Sequence, residues 1–401
     1  MRTSRLASLV AVGAIALPLL VSTAPAIAAS PRTVPRIGTQ LAELKGSDTV
    51  GGDEFGDSVA ISGTTIVVGT GKLSNGRAYV FAKTGTGWTQ AAELKGSDTL
   101  DDDFGTSLAI SGTTIVVGSP FAPHVGGTGR AYVFTKTATG WKQVDALKGS
   151  DQSTVNADMF GASVAISGKT IVVGAPGAYE DVGQVYVFTK AATGWKQVAR
   201  LNHSDFSGFG YAVAISGTTI VVSGAGKNNL GQAVGLAYVF AKKATGWKQV
   251  AELKDPYTGA DDGFGWSLAI SGTTIVVGTQ NTAQTDCGPH PLVGGGAYMF
   301  TKTAGVWKQV PHFNPLSGVC NLGGYFGIAV AVSGTTVVVG TQGLGAGVYI
   351  KKATGWKGVA SLMGSDESPP NFFEFGASVA ISGTTVVVGA PEAGKAYVFE
   401  A

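Results

Sequence analysis

What this 401-residue chain lacks is the amphipathic helix: beyond the first thirty residues no stretch carries apolar side chains at three- and four-residue spacing, which excludes helical bundles and α/β layers. Charged residues make up only 13% of the chain, cysteine occurs twice and histidine four times. With no His-Glu-X-X-His, Gly-X-Ser-X-Gly or phosphate-cradling lysine motif, zinc-hydrolase, serine-hydrolase and nucleotide-binding chemistry lack their usual residues. Long apolar runs are missing outside residues 6–21. Arg2 and Arg5 precede that run and Ala26-Ile27-Ala28 follows it, so residues 1–28 read as a signal peptide rather than a membrane anchor. The mature chain is then expected to begin near Ala29 and to be secreted or held at the cell surface. Removing Arg2 and Arg5 from the 28 basic residues leaves 26 against 26 acids. That balance gives no electrostatic case for nucleic acid or an anionic membrane as partner, and no membrane span is expected in the mature chain.

What is present is repetition. Phe-Gly recurs at Phe55-Gly56, Phe104-Gly105, Phe160-Gly161, Phe209-Gly210, Phe264-Gly265, Phe326-Gly327 and Phe375-Gly376. Each copy leads into a short apolar run, Ser-Gly-Thr-Thr or a close variant, a run such as Ile-Val-Val-Gly, and then a segment of the Ala-Tyr-Val-Phe type. Gly-Trp-Lys-Gln-Val or a variant of it closes the unit. The base spacing is 49 residues and the surplus is loop, so residues 29–401 form one repeat domain whatever their length. Val, Ile, Thr, Tyr and Phe fill the runs between Gly-rich turns, which is an all-β composition.

Each unit parses into four strands; in the third these are 162–167, 170–174, 185–189 and 195–201. The first two are apolar on both faces, as strands sandwiched between neighbouring sheets should be. The fourth alternates: Trp247, Gln249, Ala251 and Leu253 are predicted on one face, and Lys248, Val250, Glu252 and Lys254 on the other. Six tryptophans, from Trp88 to Trp356, open these fourth strands and are assigned to packing between units. Four-stranded units repeated radially predict a seven-bladed β-propeller. The seventh unit stops at Ala396-Tyr397-Val398-Phe399, whereas Gln40-Leu41-Ala42-Glu43-Leu44-Lys45-Gly46-Ser47-Asp48 copies a fourth strand and its link. Residues 37–48 are therefore predicted to supply the outer strand of the last blade and close the ring.

Phe-Gly followed by Gly174-Ala175-Pro176 and Gly389-Ala390-Pro391, with Gly118-Ser119-Pro120 a near match, resembles the FG-GAP repeat of the integrin α-subunit N-terminal propeller and its bacterial secreted relatives. The resemblance covers essentially the whole mature chain. It implies a seven-bladed propeller used for extracellular binding or adhesion, without implying a particular ligand. Many FG-GAP repeats carry an Asp-rich calcium loop between the first and second strands. Here those turns read Ser62-Gly63-Thr64-Thr65, Ser111-Gly112-Thr113-Thr114 and equivalents, with no carboxylate, so no metal is expected at the family's site.

Acids gather instead in the links from each fourth strand to the next blade. The recurring Asp of Gly-Ser-Asp is read as capping a turn through its own backbone, and Asp101, Asp102 and Asp103 form the secondary candidate for a loosely held divalent cation. Positions where one blade departs from its siblings are free to specialise. The residue after Phe-Gly becomes Tyr211 in the fourth blade and Trp266 in the fifth, the two blades with long second-to-third-strand connections. These connections and the fourth-to-first links share one face, so His203, Phe206, Tyr211, Asp261, Asp262, Trp266 and His290 are predicted to converge on one quadrant. Aromatic rings beside carboxylates suit a sugar or peptide ligand; the competing reading packs Tyr211 and Trp266 between blades. Cys287 and Cys320 lie on the same face, and an even cysteine count in an exported chain predicts a disulfide.

The reading is a secreted, monomeric, non-catalytic binding or adhesion module with a glycan or extracellular protein as ligand and no cofactor. An extracellular polysaccharide lyase or hydrolase on the same scaffold is the first alternative, with the paired Asp261 and Asp262 as its carboxylates. A structural cell-envelope component is the second.

Overall fold

The second strand of every unit shows why the chain folds as sheets stacked side by side. In Thr65–Gly69, as in its counterparts, β-branched residues point to both faces, and Ile66, Val67 and Val68 are all fully buried. In the computed structural model the described residues are 36–401 except 72–75, 99–102, 123–126, 151–157, 179–181, 204–207, 228–232, 255–262, 280–295, 311–324 and 367–373, with side chains left aside at 225–227, 233 and 325. They form seven four-stranded antiparallel sheets, each a blade of a β-propeller. Blade 1 runs Ser58–Ser62, Thr65–Gly69, Ala78–Thr84 and Gly87–Leu94 from the central channel outward. Blades 2 to 6 repeat the order, and their inner strands begin at Ser107, Ser163, Val213, Ser267 and Tyr325.

Blade 7 is built from both ends of the repeat domain. Ser378–Ser382, Thr385–Ala390 and Lys395–Glu400 are completed by Gln40–Leu44, which pairs antiparallel with the last of them, Glu43 opposite Tyr397 and Leu44 opposite Ala396. The predicted closure is therefore present. A side-chain clamp reinforces it: Gln40 Nε2 donates to Ser365 Oγ at 3.2 Å while the Ser365 amide donates to Gln40 Oε1 at 2.8 Å. The same two-bond grip joins Gln90 to Ser47, Gln143 to Ser97 and Gln197 to Ser150. Gln90, Gln143 and Gln197, each in a Trp-Lys-Gln or Trp-Thr-Gln strand, thus hold the link arriving from the preceding blade.

At the inner circumference the Ser-Gly-Thr-Thr turns do more than reverse the chain. Gly63 takes φ +57° at the first of two central residues, as type II′ hairpins require. Its amide donates to Ser382 Oγ at 3.0 Å, and Ser62 Oγ accepts from the Gly112 amide at 3.1 Å. Ser111, Ser167, Ser216, Ser271 and Ser333 continue the series to Gly168, Gly217, Gly272, Gly334 and Gly383, so one hydrogen bond crosses every blade boundary and the series returns to its start.

The opposite end of each inner strand holds the Phe-Gly pair. Phe55 is fully buried against Tyr79 and Phe81 of its own blade, with ring centroids 5.5 and 6.1 Å away. A second glycine, near the end of the second strand, is forced by proximity to the Phe-Gly backbone of the next blade. A Cβ on Gly389 would sit 1.9 Å from the Gly56 carbonyl oxygen of the next blade, and Ser378 Oγ donates to that same oxygen at 2.7 Å. In blade 4 the two residues exchange roles: Ala212 replaces the serine and Ser223 the glycine. The hydroxyl then lies on the second strand, where it accepts from the Ala212 amide at 2.9 Å.

Seven apolar clusters fill the seven blade boundaries. Between blades 2 and 3, Val116, Ala131, Val133 and Leu147 of one sheet meet Phe160, Ile171, Val173, Tyr186 and Phe188 of the next. The outer strands depart from strict alternation. All but that of blade 5 carry a bulge; in blade 4 it places Phe240 opposite Gln249 but Val239 opposite Ala251, so Val250 has no partner. The phase shifts there: Trp247 packs toward blade 3, whereas Ala251 and Leu253 pack toward blade 5. The predicted single face for Trp247, Gln249, Ala251 and Leu253 is thereby corrected. The same bulge leaves Val144 52% and Val198 53% exposed at the rim. The tryptophans do pack between blades, though only Trp195 is buried outright and the others are half-buried.

Gly389→Ala is expected to destabilise the domain by about 1–3 kcal/mol, the usual range for atoms forced into a packed site. Urea unfolding checks this, and an unchanged midpoint would show that the inter-blade backbone approach is not tight.

Candidate functional site

Antiparallel order places the second-to-third-strand connections and the fourth-to-first links at one end of the blades, the loop face, and the short hairpin turns at the other. On the loop face the recurring Asp of Gly-Ser-Asp has a partner beyond its own backbone. Asp48 Oδ1 accepts from the Tyr79 hydroxyl at 2.8 Å, Asp98 from Tyr132 at 2.8 Å and Asp366 from Tyr397 at 2.8 Å. In each case the Asp follows the outer strand of one blade and the Tyr lies on the third strand of the next. In blades 1 and 7 a cation joins: Arg77 contacts Asp48 and Glu93, and Lys395 contacts Asp366 and Glu43. The Tyr79 hydroxyl, aided by Arg77, holds the Asp48 carboxyl below the usual range. Burial opposes the same effect at Asp366, but hydrogen bonds from Lys395 and Tyr397 outweigh it and keep that carboxyl low as well. Burial and the neighbouring carboxylate push the Tyr79 phenol up. These acids are latches between blades.

Tyr211 and Trp266 lie at equivalent positions of neighbouring blades. Each follows Phe-Gly, and each amide closes a tight turn by donating at 3.0 Å to a carbonyl three residues back, Gly208 or Gly263. Those glycines adopt φ +66° and +63°, where blades 1, 2 and 7 place Glu54, Asp103 and Glu374 at +54° to +56°. The shared register brings the two rings together with centroids 4.9 Å apart and planes inclined at 44°. Tyr211 is 46% exposed and Trp266 part-buried, so the pair presents an aromatic surface at the start of the inner strands. Burial of the other side of the ring raises the Tyr211 pKa. The same position holds Asp57, Thr106, Ala162, Ile328 and Ala377 in the remaining blades.

His203 lies elsewhere. Its ring packs on Tyr238 at 4.9 Å, on the third strand of blade 4 and two strands outward from the one that Tyr211 precedes. Phe206, Asp261, Asp262, His290, Cys287, Cys320, Asp101 and Asp102 fall outside the described residues. Asp103 is described: its backbone carbonyl accepts from the Thr106 amide and hydroxyl, at 3.2 and 2.6 Å. Among the described residues no group of three or more His, Cys, Asp or Glu is arranged to hold a metal ion.

Sequence reading did not single out a cleft of about 530 Å³ at the boundary of blades 3 and 4, lined by Gln184, Arg200, Asn202, His203 and Gln249 among others. Gln184 is only 4% exposed, and its Oε1 makes no hydrogen bond. The signal was available by comparing blades: Gln184 stands where Arg77 and Lys395 stand in blades 1 and 7, and Arg200 where Glu93 and Glu43 stand. Blade 3 therefore carries an amide and a cation where blades 1 and 7 carry a cation and a carboxylate.

The sequence model described as FG-GAP repeat matches six segments, residues 39–81, 88–134, 141–188, 195–240, 247–300 and 356–399. Each match starts in or just before one outer strand and runs through three strands of the next blade. No curated protein sequence matches the chain. Among solved structures, a chain of "Crystal Structure of Mitotic Checkpoint Complex" superposes with TM-score 0.56 at 11% identity, covering 96% of this chain and 99% of that one. The computationally designed Ika8 protein superposes with TM-score 0.51 at 15% identity, covering 91% and 100%. At such identities the likeness is one of fold.

The latches define a pH response. A carboxyl whose folded pKa lies below its unfolded value of 3.8 contributes stability that is complete above that value and is lost as pH falls through the folded pKa. The thermal midpoint is expected to fall as pH drops below about 4. Tyr79→Phe should cost about 1 kcal/mol at neutral pH and flatten part of that acid limb. Melting curves from pH 2 to 7 measure both, and an identical acid limb in the variant would remove Tyr79 from the latch.

Proposed function

Because the chain belongs to the FG-GAP repeat family, we propose that it is a secreted, non-catalytic binding module whose loop face takes a glycan or an extracellular protein. The observation that carries this reading is the Tyr211–Trp266 pair: two large rings in contact, one of them 46% exposed, at the only two blades where an aromatic follows Phe-Gly. Leaving an aromatic surface in water forgoes burial free energy, and a ligand with an apolar face recovers it. A sugar ring or a peptide side chain stacked on this surface would meet hydrogen-bonding groups from the surrounding loops. The short hairpins of the other face vary little from blade to blade, so differences that select a ligand are available chiefly here.

A glycan array probed with the full chain, together with a panel of extracellular proteins, tests the proposal. Binding should fall about tenfold in Trp266→Ala and in Tyr211→Ala while the melting temperature changes little. Full retention of binding in both variants overturns the site. Release of new reducing ends or unsaturated products from a bound polysaccharide overturns the non-catalytic reading and favours a lyase or hydrolase.

A further inference from the structure

The hairpin face has a chemistry of its own. Fourteen of the chain's 28 Lys and Arg residues are lysines in, or within three residues of, the turns at that end. They come from six of the seven blades: Lys136 and Lys142 in blade 2, Lys190 and Lys196 in blade 3, Lys242 and Lys243 in blade 4, and counterparts in blades 1, 5 and 6. No acid stands in any of these turns, and a single one, Glu400, ends the third strand of blade 7 at this end. Nearly all of these lysines are exposed. The ion pairs among the described residues, those of Arg77, Lys95 and Lys395, are all with acids of the loop-face end of the blades. A chain that is almost neutral as a whole is therefore strongly cationic on one face.

We propose that this face is a docking surface for an anionic lipid bilayer, on which the propeller sits peripherally, hairpins down. Three observations favour a membrane surface over a soluble polyanion. The lysines come from turns at one end of successive blades around a ring, so a broad flat partner meets many of them at once, whereas a single polymer strand would meet a few. The cleft at the blade 3–4 boundary lies at the opposite end, lined by Gln184, Asn202 and His203, and the one at the blade 2–3 boundary runs from Ser150 of the loop-face link along the blade edge to Trp195, so neither is a groove across the hairpin face. Finally, half-buried indoles stand beside the lysines: Lys83 Nζ lies 5.9 Å above Trp88 and Lys302 Nζ 5.8 Å above Trp307. Lysine stems that cover indole while the ammonium reaches outward match the headgroup level of a bilayer, where both residue types are favoured. Lysine near an anionic leaflet gains free energy that adds from one residue to the next and is screened by salt.

Co-sedimentation of the full chain with vesicles tests this. Binding is expected to vesicles of equal phosphatidylglycerol and phosphatidylcholine at 0.1 M NaCl, and to be lost at about 0.5 M NaCl and with pure phosphatidylcholine. The triple variant Lys136→Glu, Lys190→Glu, Lys243→Glu should bind at least about tenfold more weakly. A control triple on the loop face, Lys45→Glu, Lys148→Glu, Lys254→Glu, makes the same change in net charge and should keep most of the binding; all six residues are exposed, and melting curves verify folding. No binding to the anionic vesicles, equal losses in both triples, or retention on heparin without vesicle binding would each overturn the proposal. The outcome is independent of the loop-face ligand, because Tyr211 and Trp266 are unaltered throughout.

Discussion

The ring depends on how closely seven backbones approach one another at the inner circumference. Side-chain packing holds most of each boundary, but where the second strand meets the Phe-Gly backbone of the next blade there is no room for side chains. Glycine carbonyls of one blade lie against glycine Cα atoms of the previous one, and serine hydroxyls bridge what remains. The constant is small volume rather than the serine: in blade 4 the Ser223 hydroxyl turns back to Ala212 of its own blade, and blade 6 sets Ala329 opposite Gly340 with no hydroxyl at either position. Once that spacing is fixed, the Phe of each Phe-Gly falls beneath the Tyr and Phe of its third strand and the apolar clusters follow.

The ends of the ring illustrate one economy. Nothing caps an open edge at the first or last blade, because Gln40–Leu44 and Lys395–Glu400 are paired in one sheet. The Gln–Ser clamps, the serine–glycine bonds and the Tyr–Asp latches all recur across that junction as they do elsewhere. The closing blade shares these hydrogen bonds with the others, although its outer strand is short and brings no tryptophan.

Much of the fold was legible because repetition multiplies every local signal. A single Phe-Gly or Ser-Gly-Thr-Thr says little; seven at related spacings say where strands begin, where they turn and which strand is missing. The split blade could be read because residues 40–48 copy residues 90–98 nearly letter for letter. What misled was the outer strand, where alternation assumes an unbroken ladder. The bulge at Val250 and its equivalents adds a residue without leaving a mark in the pattern of apolar and polar letters. The Asp latches were half legible. Their turn-forming role follows from Gly-Ser-Asp, whereas the tyrosine that meets Asp48 lies 31 residues away on another blade. Tyr211 and Trp266 stood out as departures from the repeat. His203 was expected beside them from its place in a loop-face link, but its ring packs on Tyr238 instead. Net charge proved the least informative number, since it sums two faces of different character.

The closing pair has a mechanical meaning. Gln40 lies opposite Phe399 and the Gly38 amide donates to the Glu400 carbonyl at 2.7 Å, so both chain ends leave blade 7 from the same end of an antiparallel pair. Tension between them would act on one hydrogen bond at a time, as in a zipper, rather than on all of them together in shear. A tether attached to either end alone leaves that seam unloaded, whereas force carried through the molecule from one end to the other opens the circle there first.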